Sequence, residues 1–338
     1  MQVRRYSDND AQQWDYFVED SKNGTFLFYR NYMDYHNDRF IDHSLIIMND
    51  RNQIVALLPA NEVVSEKNQT KTLYSHQGLT YGGLILSSKS KVNEVLAIFD
   101  RVFDYLKQNG FGFWYYKQIP TIYHKFPAEE DEYALWRNNA TLEACLISST
   151  ITMDEIHGNS LLEGQRRRGM VHALQHNYQL YETSDIEQFW PIMEQNLMKK
   201  YATKPVHTLQ EMQLLMSRFP EAIKCYLAVK EGKPQAGALI YVANKNTVHL
   251  QYCHATEEGK KDRALDFLYI SLIEKFQYQG FRYFDLGTSN EDGGSYLNES
   301  LIANKQSFGG RGIAYKTYRI DIKKCMSENK LHAKDLMN

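Results

Sequence analysis

The sequence predicts an α/β protein of two tandem domains, each a mixed, largely antiparallel sheet flanked by helices. Three observations predict it. Apolar residues recur at strand-like alternation and at helical spacing, in turn, along the whole chain. The two halves repeat one order: a helical start, a meander of strands, a long apolar helix, a glycine stop and an aromatic strand. Lys107-Gln108-Asn109-Gly110-Phe111 in the first half is answered by Gln277-Tyr278-Gln279-Gly280-Phe281 in the second. Finally, 338 residues are too many for one small core and suit two ordinary domains.

Bulk composition narrows the class of function. Hydrophobic residues at 43% and charged residues at 24% are the balance of a folded protein. A formal net charge of -2 gives no global basic field, which argues against DNA and leaves RNA only a local patch. The 24 tyrosines suit a core with polar edges or a groove for a polar ligand. Cys145, Cys225, Cys253 and Cys325 show no C-x-x-C spacing, as expected of a reduced, cytoplasmic protein without a structural zinc site. The N-terminus has no apolar signal core, and no apolar run is long enough to span a bilayer.

In the first half, Val3 to Tyr6 reads as a strand. Asp8 or Asp10 caps a helix bearing Trp14, Phe17 and Val18, which Asn23-Gly24 ends. A second, aromatic-rich helix covers Tyr29 to His36. Ser44 to Met48 and Gln53 to Leu58 form a hairpin around Asn49-Asp50-Arg51-Asn52. Leu73 to His76 is a strand, followed by Tyr81-Gly82-Gly83, where paired glycines let the backbone approach another chain segment or a ligand. Val92 to Gln108 is the clearest helix, Phe111 to Lys117 an aromatic strand, Glu129 to Arg137 a short acidic helix, and Ala140 to Met153 a long strand.

Polar Asp154 to Ser160 reads as the junction, which places the first domain at 1–155, the second at 156–322 and a polar tail at 323–338. The second domain opens with a helix, Leu161 to His176, containing Arg166-Arg167-Arg168. A strand from Tyr178 to Glu182 and a helix from Ile186 to Lys200 follow. Thr208 and Glu211 form a capping box, so a helix starts there and runs to about Phe219. Strands at Cys225 to Lys230, Gln235 to Ala243 and Thr247 to His254 are joined by short polar turns. Arg263 to Gln277 is a strongly apolar helix, and Ile313 to Ile322 a last alternating strand.

The most informative stretch is Phe281 to Arg311. It opens as a strand to Leu286, breaks at Gly287, passes through a polar glycine-bearing loop and a helix-like run from Tyr296 to Lys305, and closes on Phe308-Gly309-Gly310-Arg311. A strand end opening into such a loop is where open α/β sheets place ligands. The residue types that accept a proton from an attacking group are Asp285, Glu291, His207 and His254. Asp285 ends a buried strand, where desolvation raises a carboxyl pKa; the same position suits a carboxylate that merely caps the loop. Read as scattered single residues, the histidines predict no metal. No G-x-S-x-G is present to supply a serine nucleophile.

The run FDLGTSNEDGGSYLNESLIANKQSFGGR, from Phe284 to Arg311, resembles the Fem-type (FemAB-like) branch of the acetyltransferase (GNAT) superfamily, its tandem version. Tyr81-Gly82-Gly83, Lys204-Pro205-Val206-His207-Thr208 and Arg166 to Arg168 add weaker support. The resemblance implies two GNAT-like domains and transfer of an acyl group to an amine by direct attack. It implies catalytic roles for Asp285, Lys305 and His207, and acceptor contacts by Tyr81, Ser289, Glu291 and Arg311. Tyr252 would line the donor, and Gly259, Lys260 and Arg263 stand where the family binds the pyrophosphate of acetyl-CoA or another acyl-CoA. That motif is degenerate here: one glycine is missing, and Glu257 and Glu258 oppose a phosphate. The implied acceptor is a small molecule, an amino-sugar or cell-envelope precursor. Two alternatives stay open: an aminoacyl-tRNA donor, although no coiled-coil arm is present, and a non-catalytic binding module on the same scaffold.

Overall fold

The computed structural model describes residues 1–67, 69–153 and 161–324. The expected junction at 154–160 and the tail from 325, with Cys325, lie outside the described residues. The chain forms two units, one of Met1–Leu146 with the segment from Ala314 onward, the other of Ile147–Ile313. The sequence-based division at 155/156 keeps the strand Thr141–Thr152 in one piece; the packing divides it between Leu146 and Ile147.

The first unit contains β1 (Gln2–Arg5), α1 (Ala11–Asp20), α2 (Arg30–Met33), β2 (Ile41–Asp42), β3 (Leu45–Met48), β4 (Ile54–Leu58), β5 (Asn61–Val64), β6 (Lys71–Tyr74), β7 (Ile85–Leu86), α3 (Val92–Gln108), β8 (Phe111–Lys117), α4 (Glu130–Arg137) and the start of β9 (Thr141–Thr152). One antiparallel sheet has the order β1-β3-β4-β7. In a second, β2, β5, β6 and β8 run side by side, and the chain's last strand (Arg311–Asp321) pairs antiparallel with β8. The pair β6 and β8 is parallel because α3 carries the chain over between them. Val95, Ile98, Phe99, Val102, Phe103 and Leu106 form the buried stripe of α3. They meet Trp114 and Tyr116, two residues apart on β8 and therefore on one face. The aromatic helix expected over Tyr29 to His36 is only the short α2 between two 3-10 turns.

Gly82 and Gly83 have a structural explanation. A Cβ on Gly82 would stand 2.2 Å from the Ser75 carbonyl oxygen. Gly83 has φ +84, and its Cβ would stand 2.8 Å from the Tyr116 ring. The glycines let their own chain pass close to its neighbours.

The second unit holds the end of β9, then α5 (Gly164–Gln175), β10 (Gln179–Thr183), α6 (Trp190–Tyr201), α7 (Leu209–Arg218), β11 (Ile223–Lys230), β12 (Lys233–Val242), β13 (Thr247–Ala255), α8 (Glu257–Lys261), α9 (Ala264–Tyr278), β14 (Tyr283–Thr288), β15 (Asn290–Glu291), β16 (Tyr296–Leu297) and α10 (Glu299–Ser307). The last strand, Arg311–Asp321, is β17. Strand order in this unit is β10-β11-β12-β13-β14-β9, with only β13 and β14 parallel. The helix α9 makes that crossover and buries Phe267, Leu268, Leu272, Ile273 and Phe276 against the sheet. Two features depart from the expected elements. The segment after Thr256 is helical, because the Thr256 hydroxyl accepts the Gly259 amide at 2.9 Å. The helix expected from Tyr296 begins only at Glu299, where Asn298 caps it; Tyr296 and Leu297 pair instead with Asn290 and Glu291 in a small hairpin.

Candidate functional site

Pairing between β13 and β14 runs Thr247↔Tyr283, Val248↔Phe284 and His249↔Asp285, and there it stops. Yet β13 continues to Ala255 and β14 to Thr288. The parting of two parallel strands opens a place for chemistry at the C-terminal end of their ladder. Alternation along β14 sends Phe284 into the core with α9 and Asp285 to the opposite face.

Asp285 is fully buried, so its carboxylate must be satisfied from within. One oxygen accepts from Ser148, from Thr150 at 3.0 Å and from the Gly287 amide at 3.2 Å. The other faces His249 Nδ1 at 2.8 Å. An ionised carboxylate only accepts, so facing it Nδ1 carries the hydrogen and Nε2 the lone pair. Ser148 and Thr150 alternate on β9 and supply their hydroxyls from one face.

Lys305 reaches the same loop from α10. Its ammonium donates to the carbonyls of Gly287 and Thr288, both at 2.8 Å. Burial holds its pKa down to about 8, with the Asp285 charge opposing that shift. A Cβ placed on Gly287, whose φ is +78, would lie 3.5 Å from His249 Cε1 and 3.9 Å from Lys305 Nζ. The histidine ring and the lysine therefore converge over a glycine that keeps the space between them open. Ser149 and Ser289, on the flanking segments, are buried with hydroxyls that have no hydrogen-bond partner among the described residues.

The depressed Lys305 pKa makes a stability prediction. An unfolded lysine titrates near 10.4. Between about pH 8 and that value the unfolded chain holds the proton that folded Lys305 has lost. Stability contributed through this group therefore rises with pH across that window. The stability difference between wild type and Lys305→Met, measured by denaturant unfolding, is expected to be larger in favour of wild type at pH 10 than at pH 7. Lys117, held near pH 8 by burial in the first unit, is present in both proteins and cancels.

The remaining predicted site residues are placed as follows. His207 and Tyr252 bond to each other at 2.8 Å, His207 lying just before the capping box of Thr208 and Glu211. His254 is buried, and desolvation lowers its pKa to about 4, a poor proton acceptor. Glu291 is exposed and accepts from Asn298 at 2.8 Å. Arg311 is exposed, donating to the Gly310 carbonyl at 2.7 Å. Tyr81 belongs to the first unit, 2% exposed among Phe28, Tyr123 and Tyr315, with its hydroxyl 3.3 Å from Thr25 Oγ1.

The stretch expected to hold a pyrophosphate fits one poorly. A Cβ on Gly259 would stand 2.3 Å from the Gln235 carbonyl oxygen, so this glycine serves the approach of α8 to β12. The first turn of α8 carries Glu257 and Glu258. Lys260 pairs with Glu257 at 3.0 Å, and Arg263 pairs with Asp266 at 2.9 Å. Arg166, from the basic run, is also engaged internally: it bonds Ser307 at 2.7 Å and Asp266 at 2.9 Å, and lies 4.3 Å over the Phe308 ring.

The sequence reading missed His249 and Ser148. A histidine in the middle of an alternating strand carries no local sign of the carboxylate it faces. Its signal is the register, which sets it opposite Asp285. The reading of the histidines as unpaired also needs correction: His172 and His176 stand at H-x-x-x-H spacing. Among the described residues no group of three or more His, Cys, Asp or Glu could hold a metal ion. Nor is any described helix long and apolar enough to cross a membrane.

Residues 164–295 match the family model of the acetyltransferase (GNAT) domain. The second unit carries a GNAT domain. The solved structures extend the likeness over the whole chain. FemX covers 96% of this chain and 98% of its own at TM-score 0.71 and 10% identity. L-PGS from Bacillus licheniformis covers 93% and 92% at 0.60 and 12% identity. The C-terminal (DUF2156) domain of the protein named as a lysylphosphatidylglycerol synthetase in Agrobacterium fabrum covers 97% and 96% at 0.58 and 11% identity. No curated protein matches the sequence. At these identities the structures show the fold alone, a tandem GNAT arrangement. The GNAT domain makes the chain an acyltransferase.

Proposed function

We propose that this GNAT enzyme transfers an acyl group to an amine of an amino-sugar or other cell-envelope precursor, by direct attack, in the cytoplasm. The observation that carries the reading is the Asp285–His249 pair where β13 and β14 part, with Lys305 beside it. In this reading His249 Nε2 takes the proton as the amine nitrogen bonds to the acyl carbon. The bond from that carbon to the donor's sulfur or oxygen then breaks, and His249 returns the proton to the leaving group. Asp285 holds the imidazole in the required tautomer, and Lys305 offers a positive charge for a developing or substrate anion. The envelope context is suggested by the fold shared with FemX and with the protein named as a lysylphosphatidylglycerol synthetase. The described cysteines, Cys145, Cys225 and Cys253, are free thiols, which suits a reducing compartment.

GNAT domains generally use an acyl-CoA, and that is the first donor reading. A second reading, aminoacyl-tRNA, is favoured by one observation: the acids of α8 and the ion pairs of Lys260 and Arg263 oppose a pyrophosphate there. Thermal unfolding with acetyl-CoA, free CoA and a charged tRNA separates the two. The first reading expects a rise in Tm with acetyl-CoA. No shift at saturating CoA, with a shift on adding charged tRNA, replaces it by the second.

A further inference from the structure

We propose that His172 and His176 form a site for a divalent first-row transition metal on the second unit. The two residues are four apart at the C-terminal end of α5, so their side chains lie on one face, a turn apart. Their Nε2 atoms face each other at 3.4 Å, with ring centroids 4.9 Å apart and planes at 70°. Two imidazole nitrogens bound at 2.0–2.1 Å to a tetrahedral metal stand about 3.4 Å apart. The spacing fits an edge of that tetrahedron and is long for a hydrogen bond.

A second observation points the same way. Asp262 Oδ2 lies 3.7 Å from Nδ1 of His176, on the side of the ring away from His172. At 3.7 Å this is a charge contact and no hydrogen bond; the negative charge on that side favours hydrogen on Nδ1, which leaves the Nε2 lone pair for the metal. Asp262 is itself anchored, by Lys230 at 2.7 Å and by the Tyr178 hydroxyl at 3.5 Å. His172 is exposed and His176 is 31% exposed, so an ion reaches them from solvent.

The ligand chemistry selects the metal. Two neutral imidazoles suit Zn²⁺, Co²⁺, Ni²⁺ or Cu²⁺ and not the oxygen-seeking Mg²⁺ or Ca²⁺. With two protein ligands, water or an external donor fills the other positions. The ion would tie the last turn of α5 to the histidine that follows it, beside Asp262 at the end of α8. None of these residues contacts the Asp285 cluster, so acyl transfer does not report on the site.

The test uses the full chain, stripped with chelator, then titrated with Co²⁺ while visible absorption and Tm are followed. The expected result is the strong d–d absorption of tetrahedral Co²⁺ and a raised Tm, both reversed by EDTA. His172→Gln and His176→Gln should each remove both signals, and Asp262→Asn should weaken apparent affinity by less than either. The metal-induced change in each variant is compared with its own metal-free state, so a variant of altered stability still reports. Retention of the signals in His172→Gln and His176→Gln, or no signal with any of Zn²⁺, Co²⁺, Ni²⁺ and Cu²⁺, overturns the proposal.

Discussion

His249→Gln is expected to lower kcat by about 10²–10⁴-fold while leaving the unfolding temperature nearly unchanged. The ring is partly exposed on the sheet face opposite the α9 core, so its loss opens no cavity in that core. Glutamine keeps a polar group near Asp285 but has no atom that takes and returns a proton near neutral pH. The effect belongs in kcat, because the proton moves only as the new bond forms. Steady-state kinetics with the donor identified by thermal shift is the measurement. If kcat in the folded variant matches wild type, His249 is not the base.

Asp285→Ala is expected to lose both activity and about 3–5 kcal/mol of stability. The carboxylate is the common acceptor for Ser148, Thr150, the Gly287 amide and His249. Removing it takes from the Ser148 and Thr150 hydroxyls and the Gly287 amide the acceptor they share. Asp285→Asn separates the two consequences. Its amide oxygen still accepts from Ser148 and Thr150. Its NH₂ meets His249 Nδ1 as a donor, which turns the imidazole to the tautomer with hydrogen on Nε2. Asn at 285 should therefore retain most of the stability and lose most of kcat. Urea unfolding together with kinetics on both variants checks this. An alanine variant as stable as wild type, or an asparagine variant with normal kcat, removes Asp285 from the role given to it.

Much of this was legible in the sequence, and the parts that were not share a physical cause. The tandem α/β order could be read because α3 and α9 carry strong local periodicity and each is followed by a glycine stop. Asp285 and Lys305 could be singled out because both lie in one run whose composition is unusual. His249 could not: it is 36 residues from Asp285 in the chain, and only the parallel register of β13 and β14 joins them. Ser148, 137 residues away, is brought in by the antiparallel register of β9. Gly259 and the pair Gly82-Gly83 show a signal that sequence leaves two-sided. A glycine that suggests a ligand in sequence is as readily explained by a neighbouring carbonyl or ring, and that distinction exists only in three dimensions.

The connectivity of the units has a consequence for synthesis. The last strand, β17, pairs with β8, and Ile320 belongs to the core built on α3. Residues 147–313 are therefore an uninterrupted segment, whereas the first unit draws on both ends of the chain. On the ribosome the earlier-made half must wait. All of the GNAT unit leaves the exit tunnel before the residues that close the first core, so the order of folding is expected to invert the order of translation.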